Sequence, residues 1–410
     1  MTFPPATGRA ANQRLVAAFC LLHFALAYTL ALVWYHRGYF DVFNIFFDAD
    51  PNTNLASFAH GWWGGRNAPT HPLLELFALP ALLVGGLAQL AGWGERTAVV
   101  REFVGLAYAP VFTALAIGVF HRTLARLGLK AHDALLATAV FALSFSSMLF
   151  AVVVESYALS GLLVVLLVHW YVVCRQAGRG HHGVWFLLGV ALTGVTVTNV
   201  AFFAVAFLFF LRCVEQRPWR AALWRAALQG TGVLVLVLVL HVALLHLLGV
   251  TPGVEGSTKW VGQHASTTLY RYVANVLNLL CAGFSTYVVV LPTFWEGKIS
   301  VSRGLDDLPL ILMILLLALV LALAVRKHMP RMGWGELPWM LGALLLFNGV
   351  LHGFFGYEML LYSQHWLAPL TLLLVPVVVR HRRLVLVLLP VAALANLHFM
   401  LGVGTIMRAG

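Results

Sequence analysis

Charge is what this chain has least of. Asp, Glu, Lys and Arg make up only 10% of its 410 residues, against about 25% in soluble globular domains. That shortage excludes an ordinary soluble fold, and 61% hydrophobic residues point the same way. Cysteine is scarce too: Cys20, Cys174, Cys213 and Cys281 are scattered on or near apolar runs. They show neither a CxxC nor a Cys/His spacing, so a disulfide framework or a zinc site is excluded. There is no P-loop, HExxH, GxSxG or glycine-rich dinucleotide turn, which removes the common nucleotide, metalloprotease and hydrolase signatures. No internal repeat is visible, which argues against a transporter built from repeats.

What is present is a series of apolar runs, several longer than the ~18 residues that cross a bilayer as helix. Backbone groups in lipid must be bonded internally, so spanning segments are helices or closed barrels. Continuous apolar runs, not alternating ones, select helices. The expectation is one all-α polytopic membrane protein. The net charge of +11 fits Arg-rich cytoplasmic loops and needs no nucleic acid partner. Arg9 and Arg14 precede an apolar stretch over 15–35 that outlasts a cleavable signal, so it reads as an uncleaved first span.

Apolar segments fall at 14–34, 73–92, 98–120, 134–154, 157–174, 184–198, 200–211, 226–248, 275–292, 308–325, 337–355, 358–379 and 384–403. Counting every one as a span scatters the basic loops over both faces. Segment 73–92 carries Pro80 and Gly85-Gly86, which weaken a helix interior. If it and 275–292 make no net crossing, about 11 transmembrane helices remain, with interfacial or re-entrant helices in the outer loops. The basic groups then gather on one side: Arg9 and Arg14; Arg122, Arg126 and Lys130; Arg175 and Arg179; Arg212, Arg217, Arg220 and Arg225; Arg326, Lys327 and Arg331; Arg380, Arg382 and Arg383. That is 17 of the 26 Lys and Arg residues, and such asymmetry places the N-terminus in the cytoplasm. The Ala/Leu/Arg-rich style suggests a bacterial inner membrane.

The outer face then holds the polar stretches. Asp48 and Asp50 sit in Phe47-Asp48-Ala49-Asp50-Pro51, just past the first span. A carboxylate partly buried at a membrane surface can serve as a general base. Two together can hold a divalent cation, Mg or Mn, through oxygen ligands. The alternative is an Asx-Pro turn capping an interfacial helix over 52–62. His71-Pro72 either contacts a substrate or starts the next helix. Trp62 and Trp63 suit the headgroup level.

In "VVVESYALSGLL", Glu155 lies between two spans, where an ionisable group marks a functional candidate, with Tyr157 beside it. The alternative is an exposed carboxylate at a helix start. Further on, Arg271, Asn275 and Asn278 share one helix face, with Lys259 and His264 before them. A cation followed by amides can grip a lipid-linked phosphate, or they bond neighbouring helices. In "GYEMLLYSQHWLAPL", Glu358, Tyr362 and His365 again share a face, with His352 one helix earlier. His365 is a substrate contact or a satisfied structural histidine. His181-His182, in a basic inner loop, reads as solvated charge.

Taken together, Asp48/Asp50, "THPLLELF" (70–77), "RTLARLGLKAHDALLATAVFALS" (122–144), Glu155-Ser156-Tyr157 and "LYSQHWLAPL" (361–370) resemble the GT-C superfamily of integral-membrane glycosyltransferases, mannosyl- and arabinosyltransferase-like. The likeness covers 14–248 well and the rest loosely. It implies a catalytic module over 1–248 with its first outer loop at 35–97, an outer re-entrant region at 249–307 and closing helices over 308–410. It also implies interfacial helices in the first loop and a loop acid acting as base, with Asp50 fitting better than Asp48. The donor would be a sugar on a polyprenyl phosphate, the acceptor a glycan, lipid or protein, and a divalent cation is used by some members. The chain lacks a second-loop Asp pair and a large soluble C-terminal domain, so it does not resemble the oligosaccharyltransferase subclass, and Glu155 would replace the second-loop acid.

Two rival readings remain. An O-antigen polymerase or ligase would lean on outer Arg and His residues and not need the first-loop acid. A lipid-linked sugar flippase or transporter would need charges along a path to both faces, and the inner halves of the spans are nearly charge-free. The topology itself is testable. Reporters fused at His60, Glu95, Gly128 and Trp260 should register the cytoplasm only at Gly128, and a cytoplasmic signal at His60 would invert the scheme.

Overall fold

The computed structural model describes residues 6–41, 49–61, 70–250, 283–284, 293–295, 298–300, 308–354, 360 and 362–409. The helices, in chain order, are α1 (Ala6–His36), α2 (Pro51–His60), α3 (Leu79–Leu90), α4 (Thr97–Arg126), α5 (Ala131–Ala142), α6 (Phe145–Val152), α7 (Ser156–Ala177), α8 (His182–Val195), α9 (Val200–Phe209) and α10 (Trp219–Leu247). They continue as α11 (Leu308–His328), α12 (Leu337–Phe354), α13 (Ser363–Arg380) and α14 (Arg382–Ala409). One short antiparallel hairpin pairs Thr293 with Ser300 and Trp295 with Lys298.

The protein is a helical, polytopic membrane protein. Among the described residues, six helices are long and apolar enough to cross a membrane. They cover Asn12–His36, Gly94–Arg126, Ser156–Ala177, Val197–Val214, Trp219–Leu247 and Arg382–Val403. The α5–α6 pair makes a seventh if it counts as one span. The count of about 11 is finer than this.

α7 is the central helix, with 78% of its most apolar stretch buried. Its residues are apolar almost all round, as expected of a helix enclosed by others. It packs against α4, α8 and α13, and α4 also receives α1, α2, α3 and α6. The opposite extreme is α14, 17% buried over its window. It leaves Leu386, Val387, Val391 and Leu394 exposed, as a helix facing lipid does. α3 also turns Leu83, Leu87 and Leu90 outward. At 12 residues it rises only ~18 Å, short of the ~30 Å hydrocarbon core.

The segment expected as one span over 134–154 is broken. α5 and α6 meet at 58°. Ser144 caps α6, its hydroxyl accepting from the Ser147 amide at 3.3 Å. The next amides cannot find partners on a continuing helix, so other chain segments supply them. Phe145 N donates to Phe284 O at 3.1 Å and Ser146 N to Gly283 O at 2.9 Å. Asn396 of α14 donates to Leu143 O and Phe284 O, both at 3.1 Å. Gln364 of α13 donates to Ser146 O at 2.9 Å and to its hydroxyl at 2.8 Å, and the Ser146 and Ser363 hydroxyls are bonded. A break in a span persists only when its loose backbone groups are satisfied inside the protein, and here three segments do so.

Gln364 also abuts Gly161 of α7. A Cβ there would meet Gln364 Oε1 at 3.0 Å and Cβ at 3.2 Å, so glycine lets α7 and α13 approach. Gln364→Leu removes both bonds to Ser146, and should lower the thermal unfolding midpoint in detergent by the equivalent of ~0.6–1.7 kcal/mol, the range for hydrogen bonds between membrane helices.

Candidate functional site

Asp50 is the N-cap residue of α2, with Pro51 at the first helical position. That agrees with the expected helix start after the Asx-Pro pair, but the capping differs. Asp50 has φ −106° and ψ 64°, and its side chain makes no capping bond. An N-cap Asp ordinarily accepts from the amide two or three residues on.

Glu155 of α7 reaches the same helix start, but at the amide of Asp50 itself and at the Asn54 side chain. It is itself the N-cap of α7, 5% exposed, and so not the exposed carboxylate of the alternative reading. Its Oε2 accepts from Ser156 N at 2.7 Å and from Asn54 Nδ2 at 2.6 Å. Its Oε1 lies 3.5 Å from Asp50 N. Asn54 spends its second amide hydrogen on Asp50 O, at 3.0 Å. The carboxylate therefore sits at the positive ends of α2 and α7, a placement worth ~0.3–1 kcal/mol per helix terminus at a surface and more when buried.

His71 belongs to a segment clamped against α8 and α10. Leu73 N donates to Gly194 O at 2.8 Å, and Val197 N to Thr70 O at 3.1 Å. His241 of α10 donates from Nδ1 to Pro72 O at 2.8 Å. His71 Nδ1 lies 2.7 Å from Val195 O. A carbonyl only accepts, so the proton of the neutral ring is on Nδ1 and Nε2 carries the lone pair. Directly after comes the 3₁₀ turn Leu74–Ala78, which packs on α2 and buries Glu75 to 2% exposure.

Tyr157, the second residue of α7, meets Tyr362 at 5.2 Å and His365 at 5.5 Å between ring centroids, both edge to face. Phe202 of α9 also lies 5.5 Å from His365. His365 is 1% exposed and within electrostatic reach of His71. The fold thus gathers Asp50, Glu155, Tyr157, Tyr362, His365 and His71 at the starts of α2, α7 and α13. His352 lies on α12. Asp48, Lys259, His264, Arg271 and Glu358 lie outside the described residues, as do Asn275, Asn278, Trp62 and Trp63.

Among the described residues, no group of three or more His, Cys, Asp or Glu is placed to hold a metal ion.

Sequence reading missed four participants. Asn54 is polar in a polar stretch, and only its i+4 spacing from Asp50 hinted at a role. Glu75 and His241 lie in apolar runs, where an ionisable group is itself a signal. Phe202 looked like any lipid-facing phenylalanine. His182 is exposed, as a solvated residue should be, but it also has a partner: its Nε2 lies 2.6 Å from Glu215 Oε1, and its ring sits edge-on to Phe207 and Phe210.

No family model, curated protein or solved structure matches the chain.

The Glu215 cluster gives a pH test. Burial raises the carboxyl pKa, but hydrogen bonds from Arg217 at 2.7 Å and from His182, with their charges, outweigh it and hold it below the usual carboxylate value. A depressed folded pKa stabilises above the unfolded value and is lost as pH falls through the folded one. Acidification from about pH 5 to about pH 3 should therefore lower the unfolding midpoint of the wild type more than that of Glu215→Gln.

Proposed function

We propose that this chain is a membrane glycosyltransferase of the GT-C type, moving a sugar from a polyprenyl-phosphate donor to a glycan, lipid or protein acceptor on the outer face. In this reading the chain crosses a bacterial inner membrane about 11 times, with its N-terminus in the cytoplasm. The observation that carries it is the Asp50 carboxylate. It stands in the first loop after α1, at the start of α2, where Glu155 of α7 meets its amide and Asn54. A loop carboxylate that is partly buried suits proton transfer.

The reaction is a single displacement at the anomeric carbon. Asp50 accepts the proton of the acceptor hydroxyl while that oxygen attacks. The bond from the anomeric carbon to the phosphate oxygen breaks, and the polyprenyl phosphate leaves with the electron pair. Preorganised cations stabilise such a developing anion, and Lys259 and Arg271 are the sequence candidates. Tyr157, Tyr362 and His365 offer ring faces and polar tips for the sugar, and His71 an oriented imidazole. Asp48 is the second candidate base.

Release of prenyl phosphate reports the reaction whatever the acceptor. Purified protein given farnesyl phosphate mannose or farnesyl phosphate arabinose, with a mixed glycan and lipid extract as acceptor, should liberate farnesyl phosphate. Asp50→Asn should cut that rate by ~10²–10⁴-fold, the range for losing a general base, at unchanged expression. A wild-type rate in Asp50→Asn would refute the assignment. EDTA should abolish turnover if a divalent cation takes part, and leave it intact if the protein works without one.

A further inference from the structure

The start of α2 is tied to a carboxylate from another helix. The first turn of α2 exposes amide donors that attract the nearest carboxylate, and the nearest in sequence is Asp50 itself. In a capping box, a Glu three residues into the helix returns to bond the N-cap amide. Here that position holds Thr53, which carries no carboxylate. The carboxylate comes from Glu155, more than a hundred residues away. Its contact to Asp50 N is long, 3.5 Å, so the stronger tie runs through Asn54, at 2.6 Å to Glu155 Oε2 and 3.0 Å to Asp50 O. Asn54 is 1% exposed and Glu155 5%, and both Glu155 Oε2 bonds are short. A group so engaged is poorly placed to orient a substrate hydroxyl as well.

We infer that Asn54 and Glu155 form a clasp that fixes the start of α2 against α7 and with it the place of Asp50, so that both are positioning residues acting through Asp50. This rests on the glycosyl-transfer reading for its catalytic consequence, though not for its geometry. Glu155 supplies a negative charge where two helix N-termini converge, and Asn54 converts that charge into a fixed distance between α2 and α7. Loss of either lets the start of α2, and Asp50 with it, move away from α7. In both cases the fold survives, because α7 and α4 are packed independently of this contact.

The test uses the full-length, detergent-purified chain in three forms: Asn54→Ala, Glu155→Gln and the double variant. Glutamine keeps the size and one acceptor oxygen of Glu155 but loses its charge. Two readouts are taken. Hydrogen–deuterium exchange needs no ligand, and should rise severalfold at residues 50–54 in each variant while the α7 interior stays protected. Farnesyl phosphate release should show kcat lowered by about 100-fold, the scale of a ~1 Å misplacement of a reacting group, with the donor KM unchanged. The double variant should be no slower than the slower single one, as expected of residues serving one interaction.

Unchanged exchange at 50–54 overturns the clasp. A raised KM with unchanged kcat overturns the positioning role in favour of direct substrate binding by Glu155. If Glu155→Gln does not fold, Asn54→Ala alone decides the matter by the same two readouts. If wild type turns over, Asp50→Asn does not, and the clasp variants keep full kcat, only this inference fails. If wild type releases no farnesyl phosphate, the glycosyl-transfer reading fails, and exchange still decides the clasp.

Discussion

A single buried carboxylate organises the outer end of this molecule. Glu155 is placed where α2 and α7 begin, and each helix brings amide donors and a positive terminus to it. Burying a charge is costly unless it is paired or hydrogen-bonded. Here the donors are a main-chain amide of each helix and the Asn54 side chain, which also reaches Asp50 O. The surrounding candidate residues depend on that anchor. Asp50 is held beside it, Tyr157 follows it by two residues, and the rings of Tyr362 and His365 pack on Tyr157.

The rest of the fold obeys the same accounting of polar groups in a medium without water. The break between α5 and α6 frees backbone amides and carbonyls inside a region that is otherwise apolar. Phe284, Gly283, Asn396 and Gln364 meet them. The buried histidines follow suit: His241 bonds Pro72 O, His23 bonds Ala142 O, and His121 bonds both Thr138 and Asn12. Several of these bonds tie segments far apart in sequence, so polar groups here specify which helices meet, while apolar contacts supply the bulk of the packing.

Much of the architecture was legible from residue type and order. The long spans at Asn12–His36, Trp219–Leu247 and Arg382–Val403 follow from continuous apolar runs. The weak helix at 73–92 showed itself through Pro80 and its glycines, and the structure makes it a 3₁₀ turn and a 12-residue helix. The helix start at Asp50-Pro51 was visible too. The break at Ser144 was not, because Ser144 and Ser146 sit in a run that is apolar on average, and the partners of Ser146 on α13 lie up to 218 residues away. The pairing of exposed His182 with Glu215 was not visible either, because the two lie 33 residues apart.

For the site, sequence picked out Asp50, Glu155, Tyr157, Tyr362 and His365 as polar or aromatic groups beside apolar runs. It could not pick Asn54, whose importance lies in bonding both its own helix start and Glu155 of α7, nor say which carboxylate would meet the Asp50 amide. Composition and order determined that the chain lives in a membrane as helices, because desolvation acts on every residue according to its own chemistry. Only the tertiary structure decided that Glu155 meets the Asp50 amide and the Asn54 side chain at the start of α2, because that depends on a distance between helices more than a hundred residues apart.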